Sequence, residues 1–464
     1  MVNRQWAGPG SGLGYWTTMN PTYREVEAAL LGRWPESRLE PSLDRIRALL
    51  ELLGDPQRSY PVIQLTGTNG KTSTARMIDA LLRSLDLRTG RFTSPHLTSM
   101  TERISLDGEP LSEELFVEAF ADVAPFLDLV DADQEHPLSF FETSVAMAYA
   151  AFADAPVDAA VVEVGMGGTW DATNVADARV AVITPISVDH AAYLGHDAVT
   201  IAQEKAGIIK AGSHVVIAEQ EPEVLDVLLQ RAATVGATIW REGVDFGVAD
   251  RLAAVGGQQL SLQGVGARYD EVLLQLHGTF QAHNAVLALA AVEALTGAKQ
   301  LDPEVVQAGF GAVSSPGRFE VVRRGPTVIV DAAHNPHGVA ASVAALQEEF
   351  TFSPLVVVLA VMADKDVEEI VRALEPVASH VVCTQNGSDR CLPAGELGEI
   401  VGDVLGDESR VTVARELPDA LEHAITRAET TQGYEGAVGS GGVLVTGSVI
   451  TAGEARLMLA RSES

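Results

Sequence analysis

The chain has 464 residues, room for about two to three domains with full cores, and its 47% hydrophobic and 20% charged residues describe a globular rather than a disordered protein. A formal net charge of −31 disfavours nucleic acid or an anionic membrane as partner, so any phosphate or polycarboxylate site must be a local basic island. The two cysteines, Cys383 and Cys391, are too few for a disulfide framework and point to a reducing compartment.

No run of about 18 apolar residues appears, and the start lacks a basic segment followed by an apolar one, so a cytoplasmic location is expected. Residues 1–20 are Gly-rich and irregular and read as a disordered leader, with Met19 an alternative start. Helical patterning begins at Tyr23-Arg24-Glu25-Val26. A second helix is expected over Leu43–Leu53, preceded by Glu40-Pro41-Ser42, with Pro and Ser in positions that suit a helix start.

The stretch Val62-Ile63-Gln64-Leu65-Thr66-Gly67-Thr68-Asn69-Gly70-Lys71-Thr72-Ser73 runs from an apolar strand through a Gly-containing loop into a helix with Ile78, Leu81, Leu82 and Leu85 on one face. Such a turn holds phosphates. Its glycines let N–H groups point inward, the helix N-terminus favours an anion, and Lys71 adds a charge. Thr72 is placed to bind Mg²⁺ or a phosphate oxygen. Leu65 stands where the longer P-loop pattern has its first Gly, so the loop is a shortened one.

Thr93-Ser94-Pro95-His96-Leu97 is expected to be an irregular loop. Two buried strands follow, Val157–Gly165 and Val180–Ile186, ending beside Glu163 and His190. Strands alternating with helices imply parallel βαβ units, whose ligands gather beyond the carboxyl ends of the strands. Glu163 there either caps a loop or binds a metal. His190 is either a satisfied loop histidine or a second ligand, and Lys205 would ordinarily be an exposed helical lysine. From Val215 to Leu276 the pattern turns β-rich, and an Ala-rich helix, Asn284–Leu295, stops at Gly297.

Ser314-Ser315-Pro316-Gly317-Arg318 reads as a hinge, and beyond it a new αβ rhythm (327–331, 355–361, 380–384, 443–447) marks a second domain of about 145 residues. Gly433–Gly442 is expected to be a flexible loop. In Asp331-Ala332-Ala333-His334-Asn335-Pro336, Asp331 is either a helix N-cap or part of a site, with Asn335-Pro336 a turn. Arg318 is either a surface charge or a guanidinium offered to phosphates across the domain cleft.

Seven motifs in order, Thr66–Thr72, Thr93–Leu97, Glu163–Gly168, Asp171–Asn174, Glu204–Ile208, Pro316–Arg318 and Asp331–Pro336, resemble those of folylpolyglutamate synthases and dihydrofolate synthases, relatives of the Mur ligases. The resemblance spans residues 22–455 and looks closest to the actinobacterial bifunctional type. It implies that Gly67, Thr68, Asn69, Gly70, Lys71, Thr72 and Ser73 hold ATP phosphates, and that Asn284, Arg318 and Asp331 also contact ATP. It implies two Mg²⁺ ions on Ser94, Glu163 and His190. The pterin would lie near Glu40, Pro41 and Ser42, near Ser139, Phe140, Phe141 and Glu142, and near Trp170, Asp171 and Ala172. The lysine matching Lys205 is carbamylated in the family, and His334 and Ser448 are assigned to the incoming glutamate. One position departs: the family commonly has Arg where this chain has Thr169, so a positive charge near the pterin or phosphates is missing.

The expected fold is α/β: a P-loop-containing parallel-sheet ATPase domain over residues 21–313, a hinge at 314–318 and a smaller α/β, Rossmann-like domain over 319–464. The expected activity is ATP-dependent addition of L-glutamate to dihydropteroate and to reduced folates through an acyl phosphate, with Lys71, Lys205 and His334 as catalytic residues. The family suggests a monomer. Lengthening of the folate tail alone, a Mur-type peptide ligase, a nucleotide switch and a folate binder without catalysis are the rivals.

Overall fold

The computed structural model of the protein describes residues 21–35, 41–430 and 440–462. The expected leader, Glu40 and most of the expected Gly433–Gly442 loop lie outside these residues.

The first sheet is built from strands too apolar to face water. β1 (Val62–Thr66), β2 (Thr89–Phe92), β5 (Ala159–Glu163) and β6 (Val180–Ile183) are buried along their whole length, as a sheet covered on both faces requires. With β3 (Ile104–Leu106), β4 (Glu109–Pro110), β7 (His214–Ile217) and β8 (Thr238–Arg241) they form eight strands in the order β4-β3-β2-β5-β1-β6-β7-β8. From β2 to β8 all neighbours are parallel. The carboxyl ends of six strands therefore share one rim.

Helices cover both faces. α1 (Tyr23–Leu31), α2 (Asp44–Leu52) and α4 (Phe140–Asp154) bury Leu30, Leu49 and Val145 against Val62 and Val162. On the other face α3 (Lys71–Ser84) and α6 (Thr279–Leu295) pack Ile78, Leu82, Val286 and Leu289 on Ile63, Val161 and Val182. Between them in the chain lies α5 (Ala198–Lys205), which ends in the buried Lys205. Helix α6 is buried nearly all round, which explains why its sequence is apolar without a polar stripe.

The β-rich region expected over 215–276 divides differently. β7 and β8 complete the parallel sheet and are joined by an unanticipated helix, Pro222–Val235. Only β9 (Gly247–Ala254), β10 (Gly257–Gln263) and β11 (Arg268–Leu274) form an antiparallel sheet, and it packs Leu260, Leu262 and Val272 against α6.

Beyond Arg318 a six-stranded sheet follows, of β12 (Glu320–Arg324), β13 (Thr327–Val330), β14 (Phe352–Leu359), β15 (His380–Cys383), β16 (Val411–Val413) and β17 (Ser440–Thr446). Its order is β12-β13-β17-β14-β15-β16, antiparallel only at β12, with apolar cores on both faces. Residues 440–442 of the expected loop pair within β17. α7 (Pro336–Glu349) follows β13, and α8 (Val449–Ser462) follows β17. Both parallel-sheet units agree with the expected α/β fold.

The two sheets are joined by an apolar and a charged contact. Phe280 of α6 meets Phe319 edge-on with ring centroids 6.2 Å apart, and Phe319 meets Phe350 at 6.1 Å. Beside them Arg251 pairs with Glu348 and Glu349, and the Gly278 N–H donates to Glu349 at 2.8 Å. α7 thus has its far end fixed to α6 and its first turn at the rim.

Candidate active site

β1 ends at Thr66, and the loop Gly67–Gly70 turns directly into α3. Gly67 has φ +150°, and a Cβ there would lie 1.8 Å from Thr184 Oγ1. Gly70 has φ +88°, and its Cβ would lie 2.5 Å from Asn284 Oδ1. Both positions need glycine for conformation and for close approach. Lys71 Nζ donates to the carbonyls of Gly67 (3.1 Å) and Thr68 (3.2 Å). Lys205 Nζ donates to the same Gly67 carbonyl, at 2.8 Å. Burial lowers the pKa of both lysines; for Lys205, with Lys71 as a like-charged neighbour, it falls to about 7. Lys205 is thus not the exposed helical lysine its local sequence describes.

Glu163 closes β5 and is 1% exposed. Burial raises its pKa, opposed by Lys71, Arg318 and the Thr72 hydroxyl, which donates to its two oxygens at 3.0 and 3.1 Å. Arg318 reaches Thr72 Oγ1 at 3.5 Å and is half-buried in the cavity wall, not free on the surface. Ser73 is tied to Ser315 Oγ (3.0 Å) and Gln281 (3.3 Å), and Gln281 accepts from Asn284 at 3.0 Å. Asp331 is buried, accepts from Ser342 and from the Phe319 N–H, and has its pKa raised by burial against the pull of Ser342 and Arg318. The N-cap of α7 is Asn335, which accepts from Gly338 N at 2.8 Å, so Asp331 is free of that duty.

His190 sits at φ +52°, with burial holding its imidazole down to about 4 and hence neutral near pH 7. Its neighbour Asp189, left unassigned by the sequence, is a meeting point for the second unit. Asp189 receives Lys365 Nζ at 2.6 Å and Asn335 Nδ2 at 3.1 Å, with His334 Nε2 at 3.4 Å. Burial works to raise the Asp189 pKa, but His334, His190 and Lys365 outweigh it and hold the carboxylate far below its usual range. The other ring nitrogen of His334, Nδ1, lies 2.9 Å from the Ala332 carbonyl.

A cavity of about 400 Å³ gathers Gly67–Ser73, Ser94, Glu163, His190, Lys205, Asn284, Arg318, Asp331 and His334. It also takes in Asp189, Gln281, His283, Glu219 and Glu242, which the sequence did not single out. The remaining expected residues that are described do not line it. Pro41 is exposed, and Ser42 accepts from Asp44 N. Ser139 and Glu142 form the capping box of α4, and Glu142 also pairs with Arg45 at 3.1 Å. Phe140 lies under the Arg103 guanidinium, and Phe141 packs on Phe92 and against Gly165, which lines the cavity. Trp170 donates its N–H to Glu204; Asp171 accepts from Met166 N at 2.9 Å, and its pKa is pushed up to about 6 by burial; Ala172 is buried. Ser448 is buried, accepting from Ile450 N. Among the described residues no group of three His, Cys, Asp or Glu could by itself hold a metal ion, and no helix is long and apolar enough to cross a membrane.

Residues 65–292 match the Mur ligase middle domain, and 317–449 match the Mur ligase glutamate ligase domain. The dihydrofolate synthase/folylpolyglutamate synthase of Mycobacterium tuberculosis is 51% identical over 94% of both chains. That of Escherichia coli is 30% identical over 78% of this chain and 81% of its own. The solved M. tuberculosis folylpolyglutamate synthase complexed with ADP superposes with a TM-score of 0.91 at 51% identity, covering 95% of this chain and 98% of that one. E. coli FolC in complex with DHPP and ADP gives 0.81 at 27% identity, covering 96% and 99%. The chain belongs to the Mur ligase family, in its dihydrofolate synthase/folylpolyglutamate synthase group, and is an ATP-dependent ligase.

Proposed function

We propose that this ligase joins L-glutamate to dihydropteroate, giving dihydrofolate, and to reduced folates, extending their γ-glutamyl tail. The observation that carries the reading is the single cavity in which Lys71, Lys205 and Arg318 face the phosphate loop while the buried Glu163 stands beside Thr72. In a chain of net charge −31 this is the basic island that ATP and a carboxylate substrate require.

The substrate carboxylate attacks the γ-phosphorus of ATP, the bond to the β-phosphate oxygen breaks, and ADP leaves behind an acyl phosphate. The glutamate amine then attacks the acyl carbon, phosphate departs, and the amine proton passes to solvent or a nearby base. Lys71 and Arg318 stabilise charge on the transferring phosphoryl group. Thr72, Ser73 and the loop N–H groups orient the phosphates, with Asn284 and Asp331 holding the rest of the nucleotide. His334 and Ser448 serve the incoming glutamate. The pterin lies toward Ser42, the start of α4 and Trp170–Ala172, behind Gly165. Closure of the second unit keeps water from the acyl phosphate.

Ser94, Glu163 and His190 fit two Mg²⁺ ions. Glu163 is a buried carboxylate with one hydroxyl donor, and His190 is a neutral imidazole. Few protein ligands suit an ion that takes the rest from phosphates and water. Bound Mg²⁺ would neutralise phosphate charge. Lys205, its amine brought by burial to a pKa of about 7 so that a sizeable neutral fraction exists near neutral pH, is suited to carbamylation. The working form is taken to be a cytoplasmic monomer.

Thr169, where the family commonly has Arg, favours a second reading in which only the tail is lengthened. Phosphate release from MgATP with L-glutamate separates the two. Release with both dihydropteroate and tetrahydrofolate is expected. Release with tetrahydrofolate alone selects the second reading, and release without glutamate overturns both.

A further inference from the structure

The second unit brings its own carboxyl-end rim to the cleft. β13 runs out into Asp331–His334 and β17 into Ser448, and the next strands in its sheet are β14 and β15. Beyond β14 comes the turn with Asp364 and Lys365, and beyond β15 the loop from Asn386 to Cys391. That loop is held on two sides. Asn386 Nδ2 donates to Thr451 Oγ1 at 2.9 Å and the Gly387 N–H to Glu454 Oε1 at 3.0 Å, both on α8. The Ala363 N–H donates to the Arg390 carbonyl at 3.0 Å, and Met362 bridges to Cys391. Arg390 is thereby fixed between the turn that carries Lys365 and the helix that follows Ser448.

The two cations of this rim differ in what they still offer. The Lys365 side chain is 9% exposed, with its ammonium 2.6 Å from Asp189 of the first unit, so its charge is matched across the cleft. The Arg390 side chain is 64% exposed, and its Nη2 donates to Asp364 Oδ1 at 3.0 Å. The other oxygen of Asp364 lies 3.9 Å from Lys365 Nζ. One carboxylate therefore ties the exposed guanidinium to the buried ammonium at the cleft. This contact uses one of five guanidinium N–H donors, and the planar fork keeps donors suited to a second carboxylate. Phosphoryl transfer makes no use of this group.

We propose that Arg390 holds the side-chain carboxylate of the incoming L-glutamate and selects it over uncharged analogues, with Asp364 as the positioning residue. The α-carboxylate shares a carbon with the attacking amine and stays close to the acyl phosphate, beside His334 and Ser448. The γ-carboxylate lies two methylenes further out and needs a cation at the outer rim. In a chain of net charge −31 that cation has to be local. Without Arg390, Asp364 would face the same carboxylate as a like charge, so repulsion adds to the lost attraction.

The assignment rests on the reading of the protein as a glutamate-adding ligase, and the test keeps the two apart. Phosphate release from MgATP with tetrahydrofolate is measured at varied L-glutamate and, separately, varied L-glutamine. The unaltered protein is expected to favour glutamate in kcat/KM by about a hundredfold or more. Arg390→Ala should raise KM for glutamate about tenfold or more and bring the preference to within about tenfold. KM for ATP and for tetrahydrofolate should stay within about twofold. Arg390→Lys keeps the charge without the fork and should recover part of the preference. The loop bonds of Arg390 run through its backbone N–H and carbonyl, which alanine keeps, and calorimetric MgADP binding reports that the variant is folded. An unchanged preference in folded Arg390→Ala, or a rise in KM for tetrahydrofolate in place of glutamate, overturns the assignment of Arg390 alone. Phosphate release by the unaltered protein that does not depend on glutamate overturns the ligase reading itself.

Discussion

Asn69 and Asn335, 266 residues apart, exchange two amide hydrogen bonds across the cleft, Asn69 donating at 3.2 Å and Asn335 at 3.0 Å. One sits in the phosphate loop and the other caps α7, so this pair ties the loop directly to the second unit, beside the contacts that Asp189 makes with Lys365 and His334. Asn335→Ala removes both bridge and cap and should lower stability by about 1–2 kcal/mol in denaturant unfolding. Asn335→Ser keeps a good capping residue and should restore most of that stability. If the bridge sets the catalytic arrangement, both variants lose kcat to a similar degree. Recovery of kcat in the serine variant would show that only the cap matters.

Lys205 gives a pH-dependent prediction whose sign follows from its environment. Burial, then the Lys71 charge, lowers its pKa to about 7, so the neutral amine gains population as pH rises through 7 and is lost below it. Only the neutral amine captures CO₂, and a carbamate keeps the N–H that Lys205 donates to Gly67. At fixed dissolved CO₂ the carbamate should therefore increase from pH 6 to 8. A carbamate carbon signal is expected with ¹³C-bicarbonate, absent in Lys205→Arg, and CO₂-depleted enzyme should regain activity on adding bicarbonate. No such signal at pH 8 would leave Lys205 as a plain amine.

The phosphate loop was readable because its parts are consecutive: glycines, Lys71, Thr72 and an amphipathic helix follow a strand without interruption. Glu163 and His190 were readable for a related reason, since each closes or follows a strand of the same sheet, whereas Ser94, in what the sequence reads as an irregular loop, came only from the family resemblance. Asp189 and Lys365 were not, because their contact joins residues 176 apart, and Lys365 within Asp364-Lys365-Asp366 has the pattern of a solvated turn. Glu219 and Glu242 were hidden by a fold-level error. Once 215–276 was read as one β-rich region, β7 and β8 no longer counted as strands of the parallel sheet, and their ends were not searched as rim. The strand Gly247–Ala254 was missed because much of it is exposed and its apolar alternation is weak.

Gly67→Ala tests the steric argument for the loop. The added methyl would meet the Thr184 side chain at 1.8 Å and its carbonyl at 2.9 Å, in a backbone conformation that L residues avoid. One contact is with backbone, so a rotamer change cannot clear it. Destabilisation of about 1–3 kcal/mol is expected, together with loss of measurable MgADP binding. Wild-type affinity in this variant would mean the loop moves freely, and that Lys71 and Lys205 do not depend on the Gly67 carbonyl for their placement.

Thr169→Arg restores the charge common in the family and asks which substrate that charge serves. Thr169 is exposed, and its N–H and Oγ1 both donate to the Glu204 carbonyl at 3.0 Å. Arginine keeps the backbone bond and loses the hydroxyl one, so the cost should be no more than about 0.5–1 kcal/mol. Its side chain would leave the surface beside Trp170, away from the phosphate loop, because Thr169 does not line the cavity. KM for ATP should therefore stay within about twofold, while KM for dihydropteroate or tetrahydrofolate falls as a cation is returned near an anionic substrate. A gain for dihydropteroate alone would identify Thr169 as the position that weakens the first glutamylation. A change in KM for ATP with folate kinetics untouched would instead place this residue on the nucleotide side of Gly165–Gly167.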